Sequence, residues 1–405
     1  MYYHIRLWCT LPIAKRAAQT ELTDQDLRHW RLLEEFSQIL QQVCAGHHLH
    51  PSLSDPDRQL TVSSYLSLFL FGLFNPVVGT MRALCQASRL ERVQREICGR
   101  AVSLGSFSAM QHMLDPGLLQ EVLQQLLKNH PGNAKADTRL VHLNLVAQDG
   151  SLWSALPRMA WAEYGVGHTG EAKGVRLHLR FHLVEGQPVD ARVTRGKDCE
   201  RQQLRHMCVA GQTNVGDRYY GEDYQLFGEL DAAQAFFVFR IKEEAVVKTL
   251  EELPLSQEDR NAGVLRHAWV RLGARERNRS MRLRLVEIKT ADQHLLLVSN
   301  LSLEKASAAL VGLIYRRRWS IELFFRWIKC ILGCRHFFAE SPAGVAIQLY
   351  LALIASLLFQ AYTGQRPSKR IFELIRFYLM GWASADELAR LLSEHLQREQ
   401  ARKKT

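Results

Sequence analysis

The apolar positions of this chain repeat with two different periods, and the period changes twice along its length. Leu32, Leu33, Phe36, Ile39, Leu40 and Val43 recur at three- and four-residue intervals, which predicts an amphipathic helix reaching about Cys44. Thr23 followed by Asp26 supplies its start signal. Apolar helical stretches follow at about 60–74, 77–89 and 117–128, and Ser103 to Ala109 reads as a turn into a short helix. That region is a candidate helix-turn-helix, with charge from Arg89, Arg92, Arg95 and Arg100, or an ordinary part of a helical bundle. The segment 131–137 marks the first domain boundary.

From Leu140 the period becomes two. Val141, Leu143, Leu145 and Ala147 alternate with more polar residues up to Asp149-Gly150. Val175, Leu177, Leu179, Phe181 and Leu183 then alternate strictly with Arg176, His178, Arg180 and His182. A turn at 185–188 leads to Val189, Ala191 and Val193, so three strands of an antiparallel meander are expected. Asp198 and Glu200 stand where a helix to about Val209 should begin. A strand at 235–239 and further strand patterns at 265–272, 281–288 and 295–298 make the stretch 240–300 β-rich.

The period returns to helical from about Ser302 to a stop at Gly333. Within it, at ~100° per residue, Tyr315, Arg318, Glu322, Arg326 and Lys329 fall in a stripe roughly 80° wide. Trp319, Ile321, Leu323, Phe324, Phe325, Trp327 and Ile328 are apolar enough to bury most of the remaining circumference. One acid among cations on such a helix has two readings. It is an ion pair of the ordinary four-residue kind, or a metal-binding Glu flanked by phosphate-holding groups.

Composition narrows the field. The chain carries 52 Lys and Arg against 41 Asp and Glu, a formal charge of +11, which favours a polyanionic partner. Its eight Cys form no CxxC pair, and residues 1–20 lack the long apolar core of a secretory signal, so reduced thiols in a cytosolic compartment are expected. Cys330, Cys334 and His336 lack an evident fourth ligand and read as core residues rather than a zinc site. The apolar run 345–359 reads as a buried helix, since a span wants about 20 apolar residues.

The helix motif itself is Tyr, two residues, Arg, three residues, Glu, six residues, Lys, at Tyr315, Arg318, Glu322 and Lys329. This spacing resembles the signature of DDE transposases of the insertion-sequence-four family, whose Glu is the third catalytic carboxylate. The resemblance covers roughly 140–360. It implies an α/β fold with a ribonuclease-H-like core: a mixed sheet flanked by helices, interrupted by a β-rich insertion, and preceded by an all-α domain. The corresponding segments are a helical 1–138, core 139–242, insertion 243–300, core 301–360, and a helical 361–405 with a basic tail.

The resemblance also requires two Asp upstream. Asp149 is the first candidate, because Asp149-Gly-Ser-Leu-Trp153 resembles the first-Asp segment of the family, although Asp-Gly between strands is equally a hairpin signal. Asp217 is the second. Its Asp-Arg-Tyr-Tyr departs from the family's Asp-Arg-Gly-Tyr, which leaves Asp223 as the alternative. Such acids hold two Mg²⁺ or Mn²⁺ ions about 3.5–4 Å apart, one activating a water or DNA 3′-hydroxyl and the other stabilising the leaving oxygen.

By the same resemblance Tyr315, Arg318, Arg326 and Lys329 contact DNA, and Trp269 stacks on a flipped base, unless it is simply a structural Trp. The implied partners are terminal inverted repeats and target DNA, with a homodimer in the synaptic complex and no membrane. The implied location is the bacterial cytoplasm at the nucleoid. Two other functions stay open: a ribonuclease-H-like nuclease without strand transfer, and a DNA-binding or inhibitory relative that has lost chemistry.

Overall fold

The computed structural model describes residues 32–402 apart from 48, 54, 56, 76–77, 133–137, 168–169, 275–279, 290–293, 335, 364–367 and 380–381. The Thr23–Asp26 start signal, the boundary at 133–137 and the last basic residues of the tail lie outside them. The chain divides into two compact units. One comprises 1–133, 155–161 and 324–405; the other comprises 134–154 and 162–323.

The first unit is helical among its described residues. It contains α1 (Leu32–Gly46), α2 (Val62–Phe74), α3 (Met81–Ala87), α4 (Leu104–Met113) and α5 (Gly117–Asn129) from the N-terminal half. Thr61, Thr80 and Ser103 cap α2, α3 and α4 through their hydroxyls, each accepting a bond from a backbone N–H three residues on. These helices do not close on one another alone, as a free-standing N-terminal domain would. Their apolar faces share a core with the C-terminal helix Pro342–Thr363, which packs on α2, α4 and α5. That helix is long and apolar enough to cross a membrane, yet most of it is buried in this unit. Phe69 stacks on Phe338 at 5.4 Å, and Trp327 packs against Phe359 and Phe372 at 5.9 and 5.8 Å.

The second unit is built on one ten-stranded mixed sheet. Its strands are β1 (Leu145–Ser154), β2 (Glu163–Gly167), β3 (Gly170–His182), β4 (Gln187–Arg195), β5 (Thr213–Gly216), β6 (Phe236–Ile241), β7 (Val247–Glu252), β8 (Val264–Leu272), β9 (Leu283–Lys289) and β10 (His294–Ser299). The expected meander is present as β1, β3 and β4, paired antiparallel, with the short β2 added on β3. On its other side β1 pairs parallel with β5, and β5 pairs parallel with β6. The β-rich stretch does not fold as a separate body. β10 pairs antiparallel with β6, and β9, β8 and β7 follow in order, so the insertion widens the same sheet.

Helices cover both faces of this sheet. α6 (Glu200–Met207) and α7 (Tyr224–Ala232) place Leu204, Leu226, Phe227 and Leu230 against Phe237, Phe239, Leu283 and Leu285. Phe237 lies 5.0 Å from both Phe227 and Phe239, ring centre to ring centre. The alternate residues of β9, Arg284 and Ile288, point the other way. The fully buried Arg284 guanidinium donates to the carbonyls of Leu301, Ser302 and Ala306, and pins the lead-in to α8 (Ala308–Arg317).

The single helix expected from Ser302 is two. Ser307 caps α8, and the chain tightens at Arg318, whose N–H bonds the Tyr315 carbonyl three residues back. α9 (Trp319–Arg326) follows and runs into a π turn at Trp327–Ile331 before Gly333, at φ +80°, ends it. Trp319 and Leu323, expected inside, are about half exposed.

The turn after β5 crosses β6 at Gly221, where an added Cβ would stand 1.9 Å from the Arg240 carbonyl oxygen. In α7, by contrast, a Cβ on Gly228 meets nothing within 4 Å. Gly221→Ala is therefore expected to destabilise the protein by about 2 kcal/mol or more, and Gly228→Ala to stabilise it by about 0.5–1 kcal/mol. Urea unfolding of the two variants checks both signs.

Candidate active site

Ala147 of β1 pairs with Val215 of β5 in a parallel ladder. Two residues further along come Asp149, still within β1, and Asp217, the first residue past the end of β5, and both line one cavity. β1 does not turn at Asp149-Gly150, as the hairpin reading requires. It runs on to Ser154, with Asp149 opposite Leu179 of β3. Asp149 accepts the Gly150 N–H at 2.8 Å, and Asp217 accepts the Tyr219 N–H at 2.9 Å.

Asp223 is placed differently. It caps α7 by accepting the Leu226 N–H at 3.1 Å and pairs with Arg205 at 2.8 Å, so its carboxylate is used in structure.

A third acid joins the two Asp, and it is one that the sequence reading passed over. Glu200, in the first turn of α6, lines the same cavity of about 470 Å³ together with Asp149, Asp217, Arg176 and Lys197. Its carboxylate accepts from the Arg176 guanidinium and from the Tyr220 hydroxyl, the latter at 3.4 Å. It lies so close to β1 that a Cβ on Gly150 would be 2.6 Å from Glu200 Cδ. The sequence shows only an acid opening a helix, which the helix dipole favours with or without a site.

The electrostatics follow from this crowding. Burial pushes the Asp149 carboxyl up to about 7, with the charge of Glu200 adding to it, Arg318 opposing and Asp217 adding again. Glu200 is raised for the same first reason, burial, with Arg176 opposing and Asp217 adding. Arg318, at the tightened turn between α8 and α9, donates to Glu322 at 2.5 Å, and its Cζ lies 5.7 Å from the Tyr315 ring centre. Glu322 thus stands one link away from the Asp pair, joined to it through Arg318.

Arg326 is exposed and Lys329 lies half-buried in the π turn, both in the helical unit. Trp269 is on β8, its ring faced by the Arg282 guanidinium at 4.4 Å.

Hard divalent ions take carboxylate oxygens, and Asp149, Asp217 and Glu200 offer that donor type in one cavity. As placed, no three His, Cys, Asp or Glu side chains among the described residues stand close enough to hold one ion jointly. The donor chemistry is the type such an ion takes.

Residues 143–358 match the family model described as the transposase DDE domain. The chain belongs to that family. Within it, this DDE domain protein is 29% identical over 207 residues to a probable transposase for insertion sequence element IS5377 from Geobacillus stearothermophilus, covering 50% of this chain and 52% of the relative. It is 28% identical over 212 residues to putative transposase y4zB of Sinorhizobium fredii (strain NBRC 101917 / NGR234), covering 51% and 58%. The chain spans about half the length of these relatives. A structure of piggyBac transposase in a synaptic complex with hairpin DNA matches 92% of this chain and 79% of its own, at 11% identity and a TM-score of 0.39.

The buried carboxylate of Asp149, opposed by two neighbouring acids, weighs against folding when no cation is present. Its raised value means the penalty is absent below the ordinary carboxylate range and grows as pH rises towards about 7. In EDTA at pH 8, Asp149→Asn should therefore unfold at higher urea than the wild type, by about 1–3 kcal/mol, with a smaller gain at pH 5. A wild type more stable than the Asn variant at pH 8 would contradict this.

Proposed function

We propose that this chain is an insertion-sequence transposase with a ribonuclease-H-like core. In this reading it binds the terminal inverted repeats of its element, cuts them with divalent-metal chemistry and joins them to target DNA. The observation that carries the reading is that Asp149 of β1 and Asp217, just past the end of the parallel neighbour β5, line one cavity. The strand order β4-β3-β1-β5-β6, antiparallel on one side of β1 and parallel on the other, supports the same core.

In the reading, Asp149, Asp217 and Glu322 hold a pair of Mg²⁺ or Mn²⁺ ions, which supply an activated water or 3′-hydroxyl and stabilisation of the leaving oxygen. The protein's own contribution is position and charge. Arg318 is paired with Glu322 and adjacent to Asp149, so a DNA phosphate that draws its guanidinium away frees carboxylate oxygens on the acid side. Tyr315 packs beside Arg318 and restricts where that guanidinium can swing. Arg326 and Lys329 add phosphate contacts, and Trp269 offers an aromatic face to an unstacked base. Two ends must be cut together, so a homodimer acts on DNA at the bacterial nucleoid. The Tyr-Arg-Glu-Lys spacing supports placing the protein, in this reading, in the insertion-sequence-four group.

With terminal-repeat DNA and Mg²⁺, Asp149→Ala, Asp217→Ala and Glu322→Gln should each lower cleavage by at least about 10³-fold while retaining end binding by gel shift. Undiminished cleavage by Glu322→Gln would remove that residue from the mechanism. Nicked ends without any joined product, in a strand-transfer assay of the wild type, would reduce the protein to a nuclease.

A further inference from the structure

The turn that follows β5 carries Tyr219, two residues past Asp217, and Tyr219 lines the same cavity as the acids. It is 39% exposed, so its ring is not part of the core beneath it. This exposed side chain is nonetheless held at several points. Its N–H donates to Asp217 Oδ1 at 2.9 Å, and its hydroxyl stands 3.3 Å from Cys199 Sγ. The Arg201 guanidinium covers one ring face, with Cζ 4.0 Å from the ring centre.

Arg201 is itself fixed. Its Nε donates to the Tyr219 carbonyl at 2.6 Å and its Nη2 pairs with Glu222 at 3.2 Å, while Lys242 holds the other Glu222 oxygen at 2.8 Å. These bonds brace the turn without calling on the ring. The backbone makes no demand for it either: Tyr219 has φ −62° and ψ −42°, a conformation open to any L residue. Its neighbour Tyr220, by contrast, is buried and stacks on Phe239 in the core. The Tyr219 ring therefore adds an aromatic surface to the cavity wall, already ordered and backed by a cation. A ring held in advance loses little freedom on binding, and base–aromatic stacking suits any base because each has a π-face.

We propose that Tyr219 stacks on an unpaired base next to the phosphate that is cut, and so orients that phosphate towards Asp149 and Asp217. The inference rests on the DNA-cleaving reading above and deepens it by naming a nucleoside subsite within the cavity. This subsite is separate from Trp269, which stands on β8, four strands from β5 across the sheet. Arg201 and Cys199 are then positioning residues, acting on DNA only through the ring they hold.

The test is a cycle between loss of the ring and loss of the base. Terminal-repeat duplexes are made intact or with one abasic nucleotide, at the first position on either side of the cut. Single-turnover cleavage with Mg²⁺ is then followed for the wild type, Tyr219→Phe and Tyr219→Ala. The cost of unpairing the base is common to all three proteins and cancels when their responses to base removal are divided. At one of the two positions that ratio, wild type over Tyr219→Ala, should reach about tenfold or more, and Tyr219→Phe should respond as the wild type does. A ratio near one at both positions would overturn the stacking role and leave the acids in place. Loss of all cleavage by Tyr219→Ala would overturn it too, since the ring would then act by holding the turn of Asp217. A Tyr219→Phe protein that responds like Tyr219→Ala would assign the effect to the hydroxyl, also against the proposal. Absence of cleavage by the wild type, or equal cleavage by Asp149→Ala, would bring down the DNA-cleaving reading itself, and this inference with it.

Discussion

The parallel ladder between β1 and β5 is short, three residue pairs from Leu145–Thr213 to Ala147–Val215, and the arrangement of the acids depends on it. A shift of one residue in that register would send Asp149 or Asp217 to the opposite face of the sheet, because side chains alternate with period two. Several bonds guard the register. The Gln148 amide donates to Asn214 at 3.1 Å across the two strands, and Asn214 donates on to the Phe236 carbonyl of β6 at 3.1 Å. These buried amides lie one residue out of phase with the acids, on the other face. The side of the sheet that carries no chemistry thus holds the alignment for the side that does.

Placing four acids, Asp149, Asp198, Glu200 and Asp217, around one cavity is unfavourable unless positive charge comes with them, and Arg176 and Arg318 bring part of it. Arg176 comes from β3 on the antiparallel side of β1, and Arg318 comes from the turn between α8 and α9. Each is committed to one Glu, whereas Asp149 accepts the Gly150 N–H. Asp149 shows the consequence, its carboxyl pushed up to about 7 by burial.

The sequence was most readable where one physical cause dominates. Strict alternation from Val175 to Leu183 has a single explanation, a strand, and β3 is one, although His178 and Arg180 on its polar face are buried as well. The strand leading to Asp217, Thr213–Gly216, is buried throughout and short, carries no such alternation, and was not read from the sequence. Asp149-Gly150 was ambiguous because two causes produce the same dipeptide. Glycine serves a turn through its backbone freedom, and it serves a close approach through its missing Cβ. Only the position of Glu200, fifty residues later, distinguishes them. That is tertiary information, and for the same reason Glu200 was not recognised. At the start of a helix an acid is favoured by the helix dipole alone, so its presence there carries no message about a site.

The helix carrying Glu322 shows where periodicity reasoning stops being reliable. A stripe computed at constant phase assumes unbroken α geometry from Tyr315 to Lys329, but the chain tightens at Arg318 and widens into a π turn at Trp327–Ile331. Each irregularity rotates everything beyond it relative to what precedes it. Trp319 and Leu323 emerge half exposed. The tightening at Arg318 is also what keeps its guanidinium within 2.5 Å of Glu322 while Tyr315 stays buried one turn back. The motif therefore encodes a helix with a joint in it. The residue at the joint pairs with the acid it neutralises and also answers to Asp149 on β1.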